Sequence, residues 1–358
     1  MHRTEENNLS IHFKISRLFM FLFLMVISVA SAQTPAISQK KFFKEEQVIE
    51  MTLVSDFKKL IQGKLKKGFE TKYHPATITC IFADSMKITD EIEIRPRGKY
   101  RREECYLPPL LLNFKTTKSV ALKKLGRIKL VLPCGNSAYD EQLILKEWMV
   151  YKIYNLLTEK SFRVRLVKMA YRDINDKIKP HTQYSFLIED VDEMAKRNHC
   201  MEVQPVRPNT ESTNRKQTTL VSLFQYMIGN SDWAIPLYHN VKLIRSKKDS
   251  LSRPFVVPYD LDYCGLVNAR YAVPPESLPI KSVLERFYFG FPRTIEELQL
   301  ALQIFRQQRQ AMNSLIQNCE PLSTQNKKEM IRYLDEFFEI TEKDKDIRNL
   351  FIDNARRE

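Results

Sequence analysis

The sequence predicts an α+β protein with two lobes, the first rich in β-strands and the second mainly helical. Three observations support this fold class. Short apolar segments rich in β-branched and aromatic residues fill most of the first half. One long helical pattern interrupts them, and further helical patterns dominate the chain after about residue 278. We expect a first lobe over residues 33–188 and a second over residues 189–358, after a leader over residues 1–32.

The first lobe contains seven segments with the composition of strands, at residues 48–54, 76–82, 88–94, 107–114, 128–132, 162–171 and 184–188. Residues 56–66 predict a short basic helix. Residues 140–157 predict a much stronger helix, because apolar side chains recur at helical spacing from Leu145 to Leu156 and form a buried stripe.

The second lobe begins with a loop and ends in helices. Residues 202–217 are rich in Pro, Asn and Thr and predict the loop. Residues 220–228 predict a helix with Gly229 as its C-cap. Two short strands and two long helices are then expected, at residues 238–244, 255–258, 295–318 and 326–338.

The amino terminus has the pattern of a secretory signal peptide. Lys14 and Arg17 precede a short apolar stretch, and the small residues Ala30-Ser31-Ala32 follow it. The stretch is shorter than the roughly 20 residues of a membrane-spanning helix. We therefore expect cleavage near Ala32, export to the periplasm or beyond the cell, and no transmembrane span in the mature chain. An uncleaved membrane anchor is the alternative.

The composition is that of a basic folded protein. The chain carries 57 Lys and Arg against 43 Asp and Glu, a formal net charge of +14, which favours anionic partners. No recognisable nucleic-acid module accompanies the charge, so we predict no specific nucleic-acid partner. The chain has only 8 glycines and no Gly-rich phosphate loop.

The cysteines all lie after the leader, and none forms a CxxC pair or a zinc pattern. Export permits disulfides. Cys105 and Cys134 flank a predicted pair of strands and are the first candidates for a bridge. Free buried thiols are the alternative.

Polar residues that suit phosphoryl transfer follow the helix at residues 220–228. Asp232 lies in an expected turn, Asn240 lies on the next predicted strand, and Asp260 and Asp262 follow the strand after that. A carboxylate near the acceptor, together with an amide and a carboxylate that hold Mg²⁺ against phosphates, are the groups this chemistry needs. The substrate supplies the hydroxyl nucleophile, so the protein needs no Ser–His pair.

This order of residues resembles the protein-kinase-like fold, most closely its secreted CotH-type branch and more distantly HipA-type and lipid kinases. The resemblance covers about residues 90–265. It implies a two-lobed kinase-like fold that uses ATP with Mg²⁺ or Mn²⁺. It also implies that Asp232 is the catalytic-loop aspartate and that Asn240, Asp260 and Asp262 are the metal-binding group.

The resemblance extends to the first lobe, where it implies three residues that contact the nucleotide. Arg97-Gly98-Lys99-Tyr100 is similar to an Arg-Gly segment of the CotH-type branch. Lys129 corresponds to the strand lysine of such folds and Glu147 to its helix partner. Glu141 lies on the same predicted helix and is the alternative to Glu147, while a solvated strand lysine is the alternative for Lys129.

The sequence also departs from the family pattern. Asp232 and Asn240 are eight residues apart, which is wider than in protein kinases, and Asn230-Ser231 replaces the basic residues expected before the aspartate. Taken singly, Asp232, Asp260 and Asp262 are also typical of turns. His239 is given no role, because adjacent strand residues point to opposite faces, and Ser231 is given none either.

Two functions remain from the sequence. The first is an exported kinase-like enzyme that transfers a phosphoryl or nucleotidyl group from Mg–ATP to a protein or cell-envelope acceptor. The second is a non-catalytic binding or structural protein of the envelope on a degenerate scaffold of the same kind.

Overall fold

The structure, a computed structural model, describes residues 37–82 and 84–356. The strands in this part of the chain are β1 (Ile49–Ser55), β2 (His74–Ile81), β3 (Lys87–Pro96), β4 (Leu110–Asn113), β5 (Arg127–Val131), β6 (Val164–Asp173), β7 (His181–Ile188), β8 (Cys200–Glu202), β9 (Val241–Ser246) and β10 (Phe255–Pro258). The α-helices are α1 (Gln39–Phe42), α2 (Phe57–Gly63), α3 (Tyr100–Glu104), α4 (Val120–Lys123), α5 (Ala138–Leu157), α6 (Val191–Arg197), α7 (Arg215–Ile228), α8 (Ile295–Gln317), α9 (Thr324–Thr341) and α10 (Asp344–Arg348). Short 3-10 turns occur at Phe69–Thr71, Phe114–Thr116 and Thr210–Ser212, and a π-helix at Asn349–Asp353.

The first seven strands form a closed barrel in the order β1-β2-β3-β4-β5-β7-β6. Neighbouring strands are antiparallel except at the seam, where β6 runs parallel to β1 with Val167 opposite Ile49. Along β1, buried side chains such as Met51 and Leu53 alternate with more exposed ones. This period of two aims one face of each strand into the barrel. Closure leaves the seven strands without an unpaired edge.

The barrel corrects the expected fold: the prediction of a two-lobed, protein-kinase-like fold is wrong. The chain instead has a closed barrel of seven strands and a smaller three-stranded sheet in the order β10-β9-β8, with helices toward the carboxyl end. The physical reason is that apolar alternation locates strands but is the same in an open and a closed sheet. Closure depends on the pairing of β1 with β6, which lie far apart along the chain.

The barrel has its own apolar core. Side chains from every strand of the barrel meet inside it, among them Leu53, Ile78, Leu112, Leu130 and Leu187. Burial of each such side chain contributes about 1.5–3 kcal/mol relative to exposure. Truncation of Leu53, which is fully buried, to alanine should cost about 2–5 kcal/mol, because a cavity is left behind.

Helix α5 lies between the barrel and the helical region. It starts with a capping box in which Ser137 and Asp140 satisfy each other's backbone NH groups. It contacts β7 on the barrel and α8 in the helical region, so most of its side chains from Leu143 onward are buried. Glu147 and Tyr151 are one turn apart and therefore share a face.

The helical region and the small sheet form a second core around α5, α7, α8 and α9. Helix α7 ends at Gly229, which has a left-handed φ of 65° and confirms the predicted C-cap. A Cβ atom there would collide with the Tyr333 hydroxyl and the Val283 carbonyl. The helix starts earlier than predicted, because Asn214 caps it and Arg215 is already helical. The strand predicted at residues 238–244 begins only at Val241, after turn residues with positive φ.

Cys105 and Cys134 form a disulfide, as predicted for the first candidate pair. The other four cysteines, at positions 80, 200, 264 and 319, are free and buried. The predicted leader over residues 1–32 lies outside the described residues. Among the helices of the described ranges, none has the length and apolarity needed to cross a membrane.

Candidate metal and phosphate site

Three carboxylates meet where α5 approaches the end of β10. Glu147 of α5 and Asp260 and Asp262 after β10 each offer an oxygen, and these oxygens all lie within 4.8 Å of one another. Glu147 and Asp262 are buried, with 1% and 8% of their surfaces exposed, whereas Asp260 is partly exposed. Several carboxylate oxygens at this spacing are the ligand type that Mg²⁺, Mn²⁺ and Ca²⁺ prefer.

Local structure explains how the two aspartates reach α5. β10 pairs with β9 as far as Pro258, and the Tyr259 NH then donates to the Asn240 carbonyl at 3.0 Å. The chain turns at Asp260, which has a left-handed φ of 59°. The NH of Asp260 donates to the Tyr151 hydroxyl at 2.8 Å. Residue 260 is thus held by the side chain one helical turn after Glu147.

The carboxylates perturb one another. Burial, and next the charge of Asp262, raise the pKa of Glu147 well above its usual range. Burial, and next the charge of Asp260, raise the pKa of Asp262. The Tyr271 hydroxyl donates to Oδ2 of Asp262 at 2.7 Å. The cluster therefore disfavours its own ionised form, a cost that a bound cation would remove.

One oxygen of the cluster has no partner. Oε2 of Glu147 lies 3.4 Å from Nη1 of Arg101, but Oε1 is buried and makes no hydrogen bond within the described ranges. An unpaired buried acceptor costs about 1–3 kcal/mol. This unpaired acceptor, together with the hard oxygen donors around it, fits a divalent cation held by Glu147, Asp260 and Asp262.

Cationic side chains lie beside the carboxylates. Arg97 follows β3, and its buried Nε has no hydrogen-bond partner in the described part of the chain. Burial lowers the pKa of Arg97, and Asp260 is the strongest opposing charge. Lys129 on β5 has its Nζ 5.3 Å from the centre of the Tyr259 ring. Neither Arg97 nor Lys129 forms an ion pair among residues 37–82 and 84–356.

Lys129 is the most perturbed of these cations. Burial, and next the charges of Arg97 and Lys242, lower the pKa of Lys129 to about 8. Lys242 also lies near this ring, with its Nζ 5.9 Å from the Tyr259 ring centre and 2.8 Å from Glu202. Arg97 and Lys129, which form no ion pair within the described ranges, make this position favourable for an anion such as phosphate.

Asp232 belongs to a second polar group, formed with His239 and Asn240. A backbone hydrogen bond between Tyr259 and Asn240 connects this group to the carboxylate cluster. Oδ1 of Asp232 lies 2.6 Å from Nε2 of His239, and its Oδ2 accepts from Nδ2 of Asn240 at 2.8 Å. Nδ2 of Asn240 also donates to the Asp232 carbonyl at 2.7 Å. Asn240 lies in a turn just before β9 and has a φ of 52°. Its carbonyl accepts from Tyr259, the residue before Asp260.

The structure thus brings most of the residues selected from the sequence into two adjoining groups. Glu147, Asp260 and Asp262 form the carboxylate cluster, with Arg97 and Lys129 in the electrostatic surroundings of Asp260. Asp232 and Asn240 form the second group, whose side chains bond to each other. Glu141, the alternative to Glu147, instead accepts the backbone NH of Tyr184 at 2.7 Å.

Four residues of the site were missed from the sequence. Arg101, rather than Lys129, is the ion-pair partner of Glu147. It follows Arg97 by four residues, and this spacing was the available signal. Tyr151 likewise follows Glu147 by one helical turn. His239 was given no role because it was expected on a strand, but the strand begins only at Val241 and His239 contacts Asp232. No local pattern identified Tyr271.

Comparison of the chain with protein-family models and with curated proteins finds no match. The fold and the site together define a β-barrel protein with an attached helical region and a carboxylate cluster flanked by cations.

Proposed function

We propose that this protein binds a divalent cation together with a phosphate-bearing ligand, with Mg–ATP or Mn–ATP as the ligand to test first. We further propose that it transfers a phosphoryl or nucleotidyl group to a protein or cell-envelope acceptor after export. The observation that carries the proposal is the cluster of Glu147, Asp260 and Asp262, in which one buried oxygen has no hydrogen bond, beside two cations that form no ion pair within the described ranges.

The roles of the residues follow from their charges. The carboxylates would hold the cation, which would neutralise phosphate oxygens during transfer. Arg97 and Lys129 would contact the phosphate oxygens on the other side. The phosphate would supply the anionic partner that Lys129 lacks and would return its pKa toward the ordinary value. Arg101 would keep Glu147 oriented.

Asp232 is the candidate group for the acceptor. Its side chain is 34% exposed, so an incoming hydroxyl can reach it. His239 and Asn240 fix the two oxygens of the carboxylate by hydrogen bonds. A fixed carboxylate orients an acceptor hydroxyl and receives its proton, which is the part that such a residue plays in phosphoryl transfer.

A specific observation favours the second function, binding without transfer. Both Oδ atoms of Asp232 already have protein partners, which leaves fewer lone pairs for an acceptor. In that case the carboxylate cluster would still bind cation and phosphate, and the protein would act as a binding or structural component of the cell envelope.

The decisive experiment titrates the purified mature chain with ATP in Mg²⁺, in Mn²⁺ or without metal. Thermal unfolding reports binding, and label from ATP reports transfer to the protein itself or to an envelope extract. We expect metal-dependent stabilisation that disappears in Asp260→Ala, and transfer that disappears in Asp232→Ala while stabilisation remains. Glu339→Gln, an exposed position on α9, is the control. Absence of nucleotide binding with either metal rules out the enzymatic proposal.

A further inference from the structure

A separate groove lies between the end of α5, the start of α7 and the side of α8. Its volume is about 640 Å³. None of the residues of the carboxylate cluster or of the Asp232 group lines it. The volume lies within the range of about 300–1,000 Å³ typical of small-molecule sites.

The wall of the groove is largely apolar. Leu157 of α5, Leu220 of α7 and Ala301 of α8 are buried side chains at its base. Ile304 continues this surface along α8. Leu300 stands at the rim and is 65% exposed, which is a high value for a leucine beside an apolar cavity. An apolar occupant would remove this surface from water.

The charges of the groove are unbalanced. Arg215 and Glu297 neutralise each other, since Nη2 of Arg215 lies 2.9 Å from Oε2 of Glu297. Lys160 and Lys216 also line the groove, and neither forms an ion pair within the described ranges. Nζ of Lys160 lies 4.5 Å from the centre of the Phe255 ring, at the apolar wall. Two cations without carboxylate partners therefore remain at the edge of an apolar surface.

We propose that this groove binds a single-chain amphipathic anion, with its head group at Lys160 and Lys216 and its hydrocarbon chain along α8. The uncompensated positive charge selects an anionic head. The apolar side chains that line the groove select a hydrocarbon chain rather than a small ion. They are Leu157, Leu220, Leu300, Ala301 and Ile304. This proposal does not depend on nucleotide binding at the carboxylate cluster.

The test measures binding to the full-length chain by isothermal titration calorimetry, with every probe below its micelle concentration. The probes are dodecanoate and dodecyl phosphate, which share the chain and differ in the source of the anion. Acetate lacks the chain, and dodecyltrimethylammonium carries the opposite charge. We expect saturable 1:1 binding of at least one of the two anionic amphiphiles, about tenfold or more tighter than acetate or the cationic amphiphile. The preferred anion distinguishes carboxylate from phosphate lipids.

Two variants locate the site. Lys160→Glu combined with Lys216→Glu should weaken binding about tenfold or more, while Lys66→Glu combined with Lys67→Glu, an equal charge change at exposed positions outside the groove, should leave it unchanged. Leu300→Ser should weaken binding without a loss of fold, because the side chain is mostly exposed. Unchanged affinity in Leu300→Ser and the groove lysine variant, equal binding of the cationic amphiphile, or no saturable binding would each overturn the proposal.

Discussion

The Tyr151 hydroxyl accepts a hydrogen bond from the backbone NH of Asp260 at 2.8 Å, and this contact joins two parts of the chain that are 109 residues apart. Tyr151 lies on the helix that carries Glu147, and Asp260 begins the turn that carries both aspartates. Asp260 has a positive φ of 59°, which is uncommon for a residue other than glycine. This side chain therefore links the turn that carries Asp260 and Asp262 to the helix that carries Glu147.

Substitution Tyr151→Phe should lower the free energy of unfolding by about 0.5–1.5 kcal/mol, because the partly buried NH of Asp260 loses its acceptor. It should also weaken stabilisation by Mg²⁺ or Mn²⁺, because Asp260 is no longer held. Urea unfolding with and without the metal measures both effects.

Tyr154→Phe provides the matched control for this substitution. Tyr154 lies on the same helix, is buried, and accepts a hydrogen bond from Nε2 of Gln217 at 3.1 Å. We expect a comparable loss of stability with unchanged metal dependence. Equal metal dependence in the two variants would show that the contact between Tyr151 and Asp260 does not position the cluster.

The stability of the metal-free protein should fall as pH rises through the range in which Glu147 titrates. Burial and Asp262 raise the pKa of Glu147, so the folded state keeps its proton at pH values where the unfolded chain has lost it. The folded state then binds more protons than the unfolded chain. The contribution of protonated Glu147 to stability is therefore fully present below the ordinary pKa of a glutamate, and it is lost as pH rises through the raised pKa of the folded state. Bound metal should reverse this trend, since a cation favours the ionised carboxylate.

Urea unfolding across pH measures this effect as the difference between wild type and Glu147→Gln. We expect the difference to grow with pH in favour of the variant in metal-free buffer and to change sign at saturating Mg²⁺. Glu339→Gln serves as the control for removal of a carboxylate at an exposed position. A difference that is independent of pH would mean that neither burial nor the neighbouring carboxylates shift the pKa of Glu147.

Local signals in the sequence predicted individual elements well. The apolar run at Phe255–Pro258 was found with its observed bounds, and Gly229 was identified as a C-cap from its position after a helical pattern. Asp260 and Asp262 followed from the same strand. These features depend on residues close together in the chain, where side-chain periodicity and backbone preference act directly.

Features that depend on residues far apart in the chain could not be predicted from local sequence patterns. Closure of the barrel requires β1 to pair with β6, and the alternating pattern of either strand is equally compatible with an open sheet. The partner of Glu147 was likewise misassigned, because Lys129 and Arg101 are both basic and only the packed fold decides between them. His239 contacts Asp232 because a turn returns the chain on itself, with Ala234 and His239 exchanging two backbone hydrogen bonds.

The disulfide should stabilise the segment that carries Arg101. Cys105 is the C-cap of α3, and Cys134 follows β5, where the Leu132 carbonyl accepts a hydrogen bond from Arg101. Removal of a native disulfide typically costs about 2–5 kcal/mol. We expect a loss of this size in the variant with both Cys105→Ser and Cys134→Ser, measured by urea unfolding.

Reductant separates this effect from that of the buried thiols. Dithiothreitol should destabilise the wild type and should leave the double serine variant unchanged, because the other four cysteines are already free. An equal effect of reductant on both proteins would assign the stabilisation to another cause.

Lys129 should react with small amine-reactive reagents, such as cyanate, at a lower pH than a lysine with the usual pKa. Burial and the charges of Arg97 and Lys242 lower its pKa to about 8, so about half of its side chains are neutral at pH 8. A lysine with the usual pKa of about 10.4 is less than about 1% neutral at that pH. Carbamylation by cyanate, followed by peptide mass spectrometry across pH, should show a midpoint near pH 8 for Lys129, below the value of an ordinary lysine.

The midpoint, rather than the absolute rate, reports the pKa, because partial burial also slows access of the reagent. Lys242→Gln removes one of the neighbouring positive charges and should move the midpoint of Lys129 upward. Mg–ATP should move it upward as well, because phosphate next to the ammonium group favours its charged form. A midpoint that stays unchanged in Lys242→Gln would show that the two lysines do not share one electrostatic site. A midpoint that is unaffected by Mg–ATP, under conditions where the nucleotide stabilises the protein, would place the phosphates away from Lys129.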